Sequence, residues 1–198
     1  MVVCYAKKCI FIHIPKTGGT SIEQFIKDNG KNDLDYHGVK HGRSMHHYTA
    51  LDLKRELPIL YHRYYSFSIV RNPYDRLLSA YYWTPIPGVG YKSNASKRVF
   101  LQYVTRVVKQ KRYAENIYNE HFIPQYVFIY RKQLLVQQLF KYEDFDFAIP
   151  YLKKKLQIQM DFPTLNKSNV IKEEWTEMQK EKIYKLYYAD FVLFHYSK

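Results

Sequence analysis

The first part of the chain alternates short apolar runs with segments that carry apolar residues every three or four positions. Residues 9–14 and 64–70 form apolar runs typical of buried strands. The segment 20–29 predicts a helix after the first run, with a capping box formed by Thr20 and Glu23. Strands that alternate with helices predict an α/β fold built on a central parallel sheet, with right-handed crossovers and flanking helices.

The rest of the pattern predicts further helices and strands and two long loops. The second apolar run leads into a helix capped by Asn72, and polar or Pro/Gly-rich loops are expected over 31–48 and 84–96. Helices are predicted over 49–57, 97–111 and 173–188 and after Pro150, and strands within 125–130 and 134–142. No repeat or low-complexity segment interrupts the pattern, so a single domain over 1–198 is expected.

The composition favours an anionic partner. Apolar residues make up 46% of the 198 residues, which is too many for a disordered chain. The 31 basic and 18 acidic residues give a formal net charge of +13, which suits a nucleic acid, a phosphorylated cofactor, an acidic glycan or a membrane surface. A solvated basic face explains the same charge. Cys4 and Cys9 lack zinc-finger or CxxC spacing and are expected to be free thiols, with one disulfide between them as the alternative. Without a signal peptide or a long apolar run, no membrane span and a cytoplasmic location are expected.

The stretch "FIHIPKTGGTS" places a lysine, two glycines and three hydroxyls directly after a predicted strand. A Gly-containing loop at a helix N-terminus binds anions, because backbone N–H groups and the helix dipole face the ligand. Lys16 precedes both glycines, whereas a Walker A loop places its lysine after the second glycine. The loop therefore predicts an anion-binding site that differs from the triphosphate-binding loop of the Walker A type. The alternative is an ordinary strand-to-helix turn.

A second strand end carries the stretch "VRNPYDRLLSAY". Arg71 is expected at the carboxyl edge of the sheet, and Ser79 follows about two helical turns later. An arginine fork with a serine hydroxyl suits a second phosphate. The alternative for Arg71 is a structural ion pair with Asp75, and Arg76 is expected to be a surface or packing residue.

These two stretches together resemble the paired nucleotide-binding motifs of sulfotransferases that use 3′-phosphoadenosine-5′-phosphosulfate (PAPS). The similarity is greatest to the branch that contains carbohydrate sulfotransferases, sulfotransferase family 2. Other parts of the chain resemble that branch in the same order, namely "HHYTALDLKREL", "HFIPQY", "FKYEDFDF", "LNKSN" and "LYYADFVLFHY". The ordered set carries more weight than any one of the motifs, and it spans nearly the whole sequence.

The resemblance implies a P-loop-like α/β fold and a PAPS-dependent transferase whose nucleotide product is adenosine 3′,5′-bisphosphate. It implies that Arg71 and Ser79 hold the 3′-phosphate and that Lys167 and Ser168 close over the nucleotide. The 5′-phosphosulfate would be held by the loop residues Lys16, Thr17, Gly18, Gly19, Thr20 and Ser21.

Sulfuryl transfer needs a cation at the leaving phosphate and a base for the acceptor hydroxyl. Lys16 fits the first role, and the resemblance at "HYTA" selects His47 for the second, with His46 as the immediate rival. His46, His121 and Gln125 are candidates for contact with the acceptor. His121 could instead orient Gln125, and it fits a structural role equally. His13 lies next to the loop within the predicted strand and is expected to be structural. A metal site in the stretch "KHGRSMHH" is disfavoured, because no Cys or carboxylate partner is evident nearby, and no metal is expected.

Two other functions remain open from the sequence. A P-loop kinase-like phosphotransferase is disfavoured by the position of Lys16, and a basic polyanion-binding or nucleic-acid-binding module leaves both strand-end motifs unexplained. An inactive sulfotransferase-like protein is also possible. The resemblance points to a sugar hydroxyl as acceptor and not to nucleic acid, while a small alcohol, a lipid head group or a protein tyrosine stays open. The sequence does not reveal the oligomeric state.

Overall fold

The computed structural model describes residues 2–29, 34–35, 39–40, 43–88, 90, 96–162 and 174–198. A five-stranded sheet lies at its centre, in the order β3, β1, β2, β6, β7. These strands are β1 (Val2–Cys4), β2 (Cys9–Ile12), β3 (Leu34–Asp35), β6 (Tyr65–Val70) and β7 (Gln138–Lys141). A separate two-stranded ribbon pairs β4 (Val39–Lys40) with β5 (Arg43–Ser44).

The three strands β2, β6 and β7 run parallel, and β1 is antiparallel to both β2 and β3. The parallel sheet predicted from the sequence is confirmed in these three strands. The hairpin of β1 with β2 was not predicted, because β1 is only three residues long and is too short to show a clear period.

Nine helices surround the sheet in the described parts of the chain. They are α1 (Gly19–Lys27), α2 (Ala50–Glu56), α3 (Pro58–Arg63), α4 (Pro73–Trp83), α5 (Lys97–Lys109), α6 (Tyr126–Ile129), α7 (Phe145–Leu156), α8 (Glu177–Leu186) and α9 (Tyr188–Leu193). The helices predicted from 49, 72 and 97 are confirmed with nearly the expected bounds. The N-cap expected at Asn72 is present, since its side chain accepts from the N–H of Tyr74. Thr49 forms a capping box with Asp52 that was not predicted.

Both faces of the sheet are covered by helices. Successive residues of β2 point to opposite faces, so Ile10 and Ile12 enter one apolar cluster while Cys9 and Phe11 enter another. The first cluster includes residues of α2, α3 and α6, and the second includes residues of α1 and α7. A third cluster joins α4, α5, α8 and α9 beside the sheet. This α/β arrangement confirms the predicted fold class.

Several predicted elements were wrong in type or extent. The run 125–130 forms the short helix α6 where a strand was predicted. Helix α7 begins at Phe145 and continues through Pro150, although proline removes an intrahelical N–H. The last helix splits into α8 and α9. The capping box predicted for α1 is absent: its N-cap is Gly18, and no side chain caps it.

Candidate active site

The loop between β2 and α1 turns through two left-handed backbone conformations. Lys16 has a φ of 70° and Gly18 a φ of 78°. Glycine adopts such angles at little cost, but a lysine does so only where the surrounding structure holds it. The Lys16 backbone is therefore strained, and strained residues of this kind cluster at functional sites.

Glycine is required at the two following positions by the packing of the chain itself. A Cβ atom on Gly18 would lie 2.9 Å from Cε2 of Tyr142, and one on Gly19 would lie 2.1 Å from Cδ2 of His13. Both distances are too short for real carbon contacts. The two glycines thus let the start of α1 approach an aromatic side chain on each side.

The three hydroxyls expected in the loop have different surroundings. The Thr17 hydroxyl is fully buried and donates to the backbone carbonyl of Ile14 at 2.8 Å, so it stabilises the turn. Ser21 is also buried, within the first turn of α1, whereas Thr20 is exposed. Of the three side chains, Thr20 is thus the most accessible to an anion at the helix N-terminus.

Arg71 lies beside this loop, because the parallel strands β2 and β6 end at the same edge of the sheet. Its NH1 group donates to the Lys16 carbonyl at 3.4 Å, and its guanidinium carbon lies 4.2 Å from the centroid of the Tyr142 ring. The Nε atom of Arg71 is buried and has no hydrogen-bond partner among the described residues. A buried, unpaired donor is costly, and a bound phosphate oxygen would satisfy it. This part of the structure fits a nucleotide phosphate.

Gln125 holds the backbone of Arg71 on both sides. Its Oε1 accepts from the Arg71 N–H at 2.9 Å, and its Nε2 donates to the Arg71 carbonyl at 2.8 Å. The side chain is fully buried, so its position argues against the acceptor contact expected from the sequence. Asp190 in turn accepts from the backbone N–H groups of Gln125 and Tyr126, at 2.8 and 2.9 Å. Burial raises the pKa of Asp190 to about 6, against the influence of Arg76 and of these two N–H groups.

The buried side chain of Arg76 forms hydrogen bonds with two separate segments of the site, at Pro15 and at 121–123. Its side chain is 2% exposed and donates to the carbonyls of Pro15, His121 and Ile123 at 3.0, 3.1 and 2.9 Å. Of the two roles expected for Arg76, packing is correct and surface exposure is wrong. The guanidinium thus connects the loop between β2 and α1 to the segment that carries His121.

The remaining predicted nucleotide contacts are only partly described. Ser79 lies on α4 and is half-buried, about two turns after the Asn72 cap. Lys167 and Ser168 lie outside the described residues. Their predicted role in closing over the nucleotide stays a prediction.

Four histidine rings converge beside the loop. The centroid of the His13 ring lies 4.6 Å from that of His46 and 5.3 Å from that of His47. The His121 ring follows, 5.7 Å from His47. The structure thus brings together the predicted base, its rival, one predicted acceptor contact and a histidine expected to be structural.

Two buried carboxylates orient three of these rings. Glu23 contacts Nδ1 of His13 at 3.0 Å and Nε2 of His46 at 3.3 Å. Glu120 contacts Nδ1 of His47 at 3.0 Å and is fully buried. A carboxylate only accepts hydrogen bonds, so Nδ1 of His47 carries the hydrogen and Nε2 carries the basic lone pair.

Burial keeps these imidazoles neutral. It lowers the pKa of His13 to about 4 and that of His46 to about 2, even though Glu23 favours the charged form of both. Burial also lowers the pKa of His47 despite Glu120. Burial is the largest cause that lowers the pKa of His121 well below its usual value, and the positive charge of Lys16 adds to it. Nδ1 of His121 lies 2.8 Å from the Thr84 hydroxyl. Neutral imidazoles can accept protons.

The positive charge of Lys16 is one of the causes, after burial, that lower the pKa of His121. The Nζ atom of Lys16 lies 5.8 Å from the centroid of the Trp83 ring, at the end of α4. Trp83 is 57% exposed, which is unusual for so large an apolar side chain. The site therefore combines a lysine, a histidine with a carboxylate partner, an arginine and an exposed aromatic ring.

A family model described as the sulfotransferase family matches residues 1–197. The chain belongs to the sulfotransferase family. No curated protein and no solved structure matches it significantly. The sulfotransferase fold is P-loop-like. Family members generally use PAPS as donor and transfer its sulfuryl group to a hydroxyl acceptor.

Several residues of this candidate site had no recognisable signal in the sequence. Glu120 is a single acid beside a predicted motif, Arg76 is one of 31 basic residues, and Trp83 ends an amphipathic helix. Each becomes notable only through burial, exposure or a long-range contact. None of the helices in the described parts of the chain has the length and apolar character needed to cross a bilayer.

Proposed function

We propose that residues 1–198 act as one domain that moves a sulfuryl group from PAPS to a hydroxyl group of a carbohydrate. The observation that carries this proposal is the pairing of His47 with the buried Glu120 beside the Lys16 loop. The family supports sulfuryl transfer in general, and this pair supplies a base for it. The donor, acceptor and residue roles below are part of the proposal.

His47 acts as the general base. Glu120 holds the Nδ1 hydrogen, so the Nε2 lone pair accepts the proton of the acceptor hydroxyl while the acceptor oxygen bonds to sulfur. Glu120 also stabilises the imidazolium that forms. His46 is the weaker candidate, since it shares the Glu23 carboxylate with His13.

Lys16 stabilises the leaving group. As the bond between sulfur and the bridging oxygen breaks, negative charge grows on the 5′-phosphate, and the Lys16 ammonium together with the N–H groups at the start of α1 can hold it. The strained backbone of Lys16 fixes where its side chain leaves the loop. A fixed cation at this point serves the reaction without proton transfer.

Arg71 holds the 3′-phosphate of the nucleotide. Its buried Nε has no hydrogen-bond partner among the described residues, and Gln125 forms two hydrogen bonds to its backbone. Both observations indicate a guanidinium that is kept in place for a ligand. Ser79, Lys167 and Ser168 complete this proposed contact set. Gly18 and Gly19 allow the helix start to approach the 5′-phosphosulfate, and Thr17 shapes the turn from within.

The carbohydrate acceptor is supported by two exposed aromatic rings beside the reacting groups. Trp83 lies next to Lys16, and Tyr118, which is 41% exposed, lies 6.2 Å from the His121 ring, centroid to centroid. Exposed aromatic faces stack on the apolar faces of sugar rings. The net charge of +13 further favours an acidic glycan.

The test is sulfuryl transfer from radiolabelled PAPS to a panel of saccharides, simple alcohols, lipids and tyrosine peptides. We expect transfer to a saccharide, and a loss of about a hundredfold or more in kcat for His47→Asn. The same variant should keep the thermal shift produced by adenosine 3′,5′-bisphosphate. His62→Asn, at an exposed position of α3, is the matched control. Full transfer by His47→Asn would place the base elsewhere, and no thermal shift with the wild-type protein would rule out the donor.

A further inference from the structure

Three of the clustered histidines have the arrangement of a metal-binding site. One ring nitrogen from each of His13, His46 and His47 lies within 4.8 Å of the other two. His13 follows β2, whereas His46 and His47 lie in a 3-10 turn (Met45–His47), so two separate parts of the chain contribute ligands. The sequence did not suggest this site, because His13 is more than thirty residues away from the other two.

Each imidazole also has the partner that metal-bound histidines usually have. A ligating histidine commonly donates its second ring N–H to a carboxylate, which fixes the ring and makes it a better ligand. Glu23 contacts one nitrogen of both His13 and His46, and Glu120 contacts one nitrogen of His47. The absence of a carboxylate partner was the ground on which the sequence argued against a metal, and the structure supplies two.

The donor set selects the class of metal. Three neutral imidazoles suit Zn²⁺, Cu²⁺ or Ni²⁺ and not Mg²⁺ or Ca²⁺, which prefer oxygen. A tetrahedral zinc ion with bonds of about 2.0 Å places its ligands about 3.3 Å apart. Ring rotations that shorten the separations of at most 4.8 Å by roughly 1.5 Å would reach this geometry. The His46 side chain, 23% exposed, gives access from solvent.

The charges around the cluster both favour and oppose a cation. The Lys16 ammonium acts on the neighbouring His121 and repels a metal ion. Glu23 and Glu120 provide two buried carboxylates in direct contact with the three rings, which offset that repulsion at shorter range. Because the repulsion by Lys16 and the attraction by the two carboxylates oppose each other, the site favours a metal ion that forms coordination bonds to nitrogen over one that binds only by electrostatic attraction.

We propose that His13, His46 and His47 bind a transition metal ion of the zinc class, and that the bound ion stops sulfuryl transfer. The proposed inhibition rests on the proposed function, since a metal ion bound to His47 occupies the lone pair that would take the proton of the acceptor hydroxyl. The site is thus an inhibitory one that overlaps the base. Three protein ligands leave a fourth position for water or an anion.

The binding half is tested with the metal alone, on the whole chain freed of metal by a chelator. Zn²⁺ titration by calorimetry should show one site, and Co²⁺ should give the visible absorption of tetrahedral coordination. His46→Ala should weaken Zn²⁺ binding at least tenfold and remove the Co²⁺ bands, while His62→Ala should change neither. His46 is the least buried of the three ligands, and circular dichroism verifies that its variant is folded.

Two outcomes would overturn the site. One is wild-type binding no tighter than that of folded His46→Ala. The other is loss of Zn²⁺ binding in a Cys4→Ser, Cys9→Ser double variant with His46 intact, because this would place the ion on the two buried thiols.

The inhibitory half is tested by transfer assays across the same Zn²⁺ range. We expect activity to fall with the occupancy measured by calorimetry and to return when a chelator is added. Binding without inhibition would overturn this half and leave the site intact. A metal-free protein that binds Zn²⁺ but transfers nothing to any acceptor would contradict the proposed function and not the metal site.

Discussion

The His13 ring lies directly against Gly19, so that a Cβ atom on Gly19 would come within 2.1 Å of Cδ2 and 2.2 Å of Nε2 of the ring. The glycine at this position therefore makes room for a side chain of the protein, in addition to any ligand at the helix start. The same ring is held from the other side by Glu23 at 3.0 Å. His13 is thereby confined between the helix start and a buried carboxylate.

Gly19→Ala should destabilise the protein by about 1–3 kcal/mol, because the new methyl group overpacks the His13 ring. Urea denaturation measures this change in the free energy of unfolding. In a His13→Ala background the same substitution should cost clearly less, since the ring that it strikes is gone. Equal costs in the two backgrounds would show that His13 is not the obstacle. Thr20→Ala, at the exposed neighbouring position, is the control.

Arg71→Lys should weaken binding of adenosine 3′,5′-bisphosphate by about tenfold or more, because lysine keeps the charge but lacks the Nε–H and the fork. Adenosine 5′-phosphate, which lacks the 3′ group, should bind wild type and variant about equally. Calorimetry with both nucleotides makes the comparison. If both nucleotides lose affinity to the same degree, Arg71 does not hold the 3′-phosphate.

Glu120→Gln should lower kcat by at least about tenfold and leave the affinity for adenosine 3′,5′-bisphosphate and the acceptor KM nearly unchanged. The amide keeps the shape of the side chain but removes the charge that stabilises the His47 imidazolium. Steady-state kinetics separates kcat from KM, and Glu115→Gln, at an exposed position, serves as control.

Glu120→Gln should also cost little further activity in a His47→Asn background, because a positioning residue acts only through its partner. Additive losses in the double variant would assign Glu120 to a different role.

Trp83→Ala should raise the acceptor KM by about tenfold through loss of a stacking surface, with little change in nucleotide binding. Because Trp83 is largely exposed, the substitution should scarcely alter the free energy of unfolding. The saccharide found in the acceptor panel is the substrate for this measurement. An unchanged KM would remove Trp83 from the acceptor site, and Ile59→Ala, another exposed apolar position, is the matched control.

Arg76→Lys should destabilise the protein by about 2–4 kcal/mol, because a lysine cannot reach all three carbonyls that the buried guanidinium bonds. Urea denaturation gives the value, and Arg63→Lys, at an exposed position of α3, is expected to have almost no effect. A loss for Arg76→Lys as small as that of the control would mean that these bonds contribute little to stability.

The strands β2 and β6 and the helices after them were predictable, because long apolar runs and helix caps lie next to each other in the sequence. Helix α6 was not predictable, because the run 125–130 has the composition of a strand. Its first N–H groups bond to Asp190, about 65 residues later, and this tertiary contact overrides the local preference.

The candidate site likewise contains residues that local sequence motifs predict and residues that only tertiary contacts reveal. Lys16, Arg71 and His47 stand in motifs that a sequence displays, and their roles stay predictions. Gln125 is predicted from the sequence to contact the acceptor, but its side chain forms hydrogen bonds with the backbone of Arg71. The partners Glu23 and Glu120 could not be assigned from the sequence, since one carboxylate differs from another only in what surrounds it.

The carboxylate of Asp190 has a consequence for how the protein is made. It lies on α9, close to the last described residues, yet through Gln125 it supports the backbone of Arg71, more than a hundred positions earlier. A nascent chain still lacking α9 would therefore present the glycine loop without a properly supported arginine. On the proposed role of Arg71, nucleotide would therefore give such a chain less protection against proteolysis than it gives a chain that contains α9.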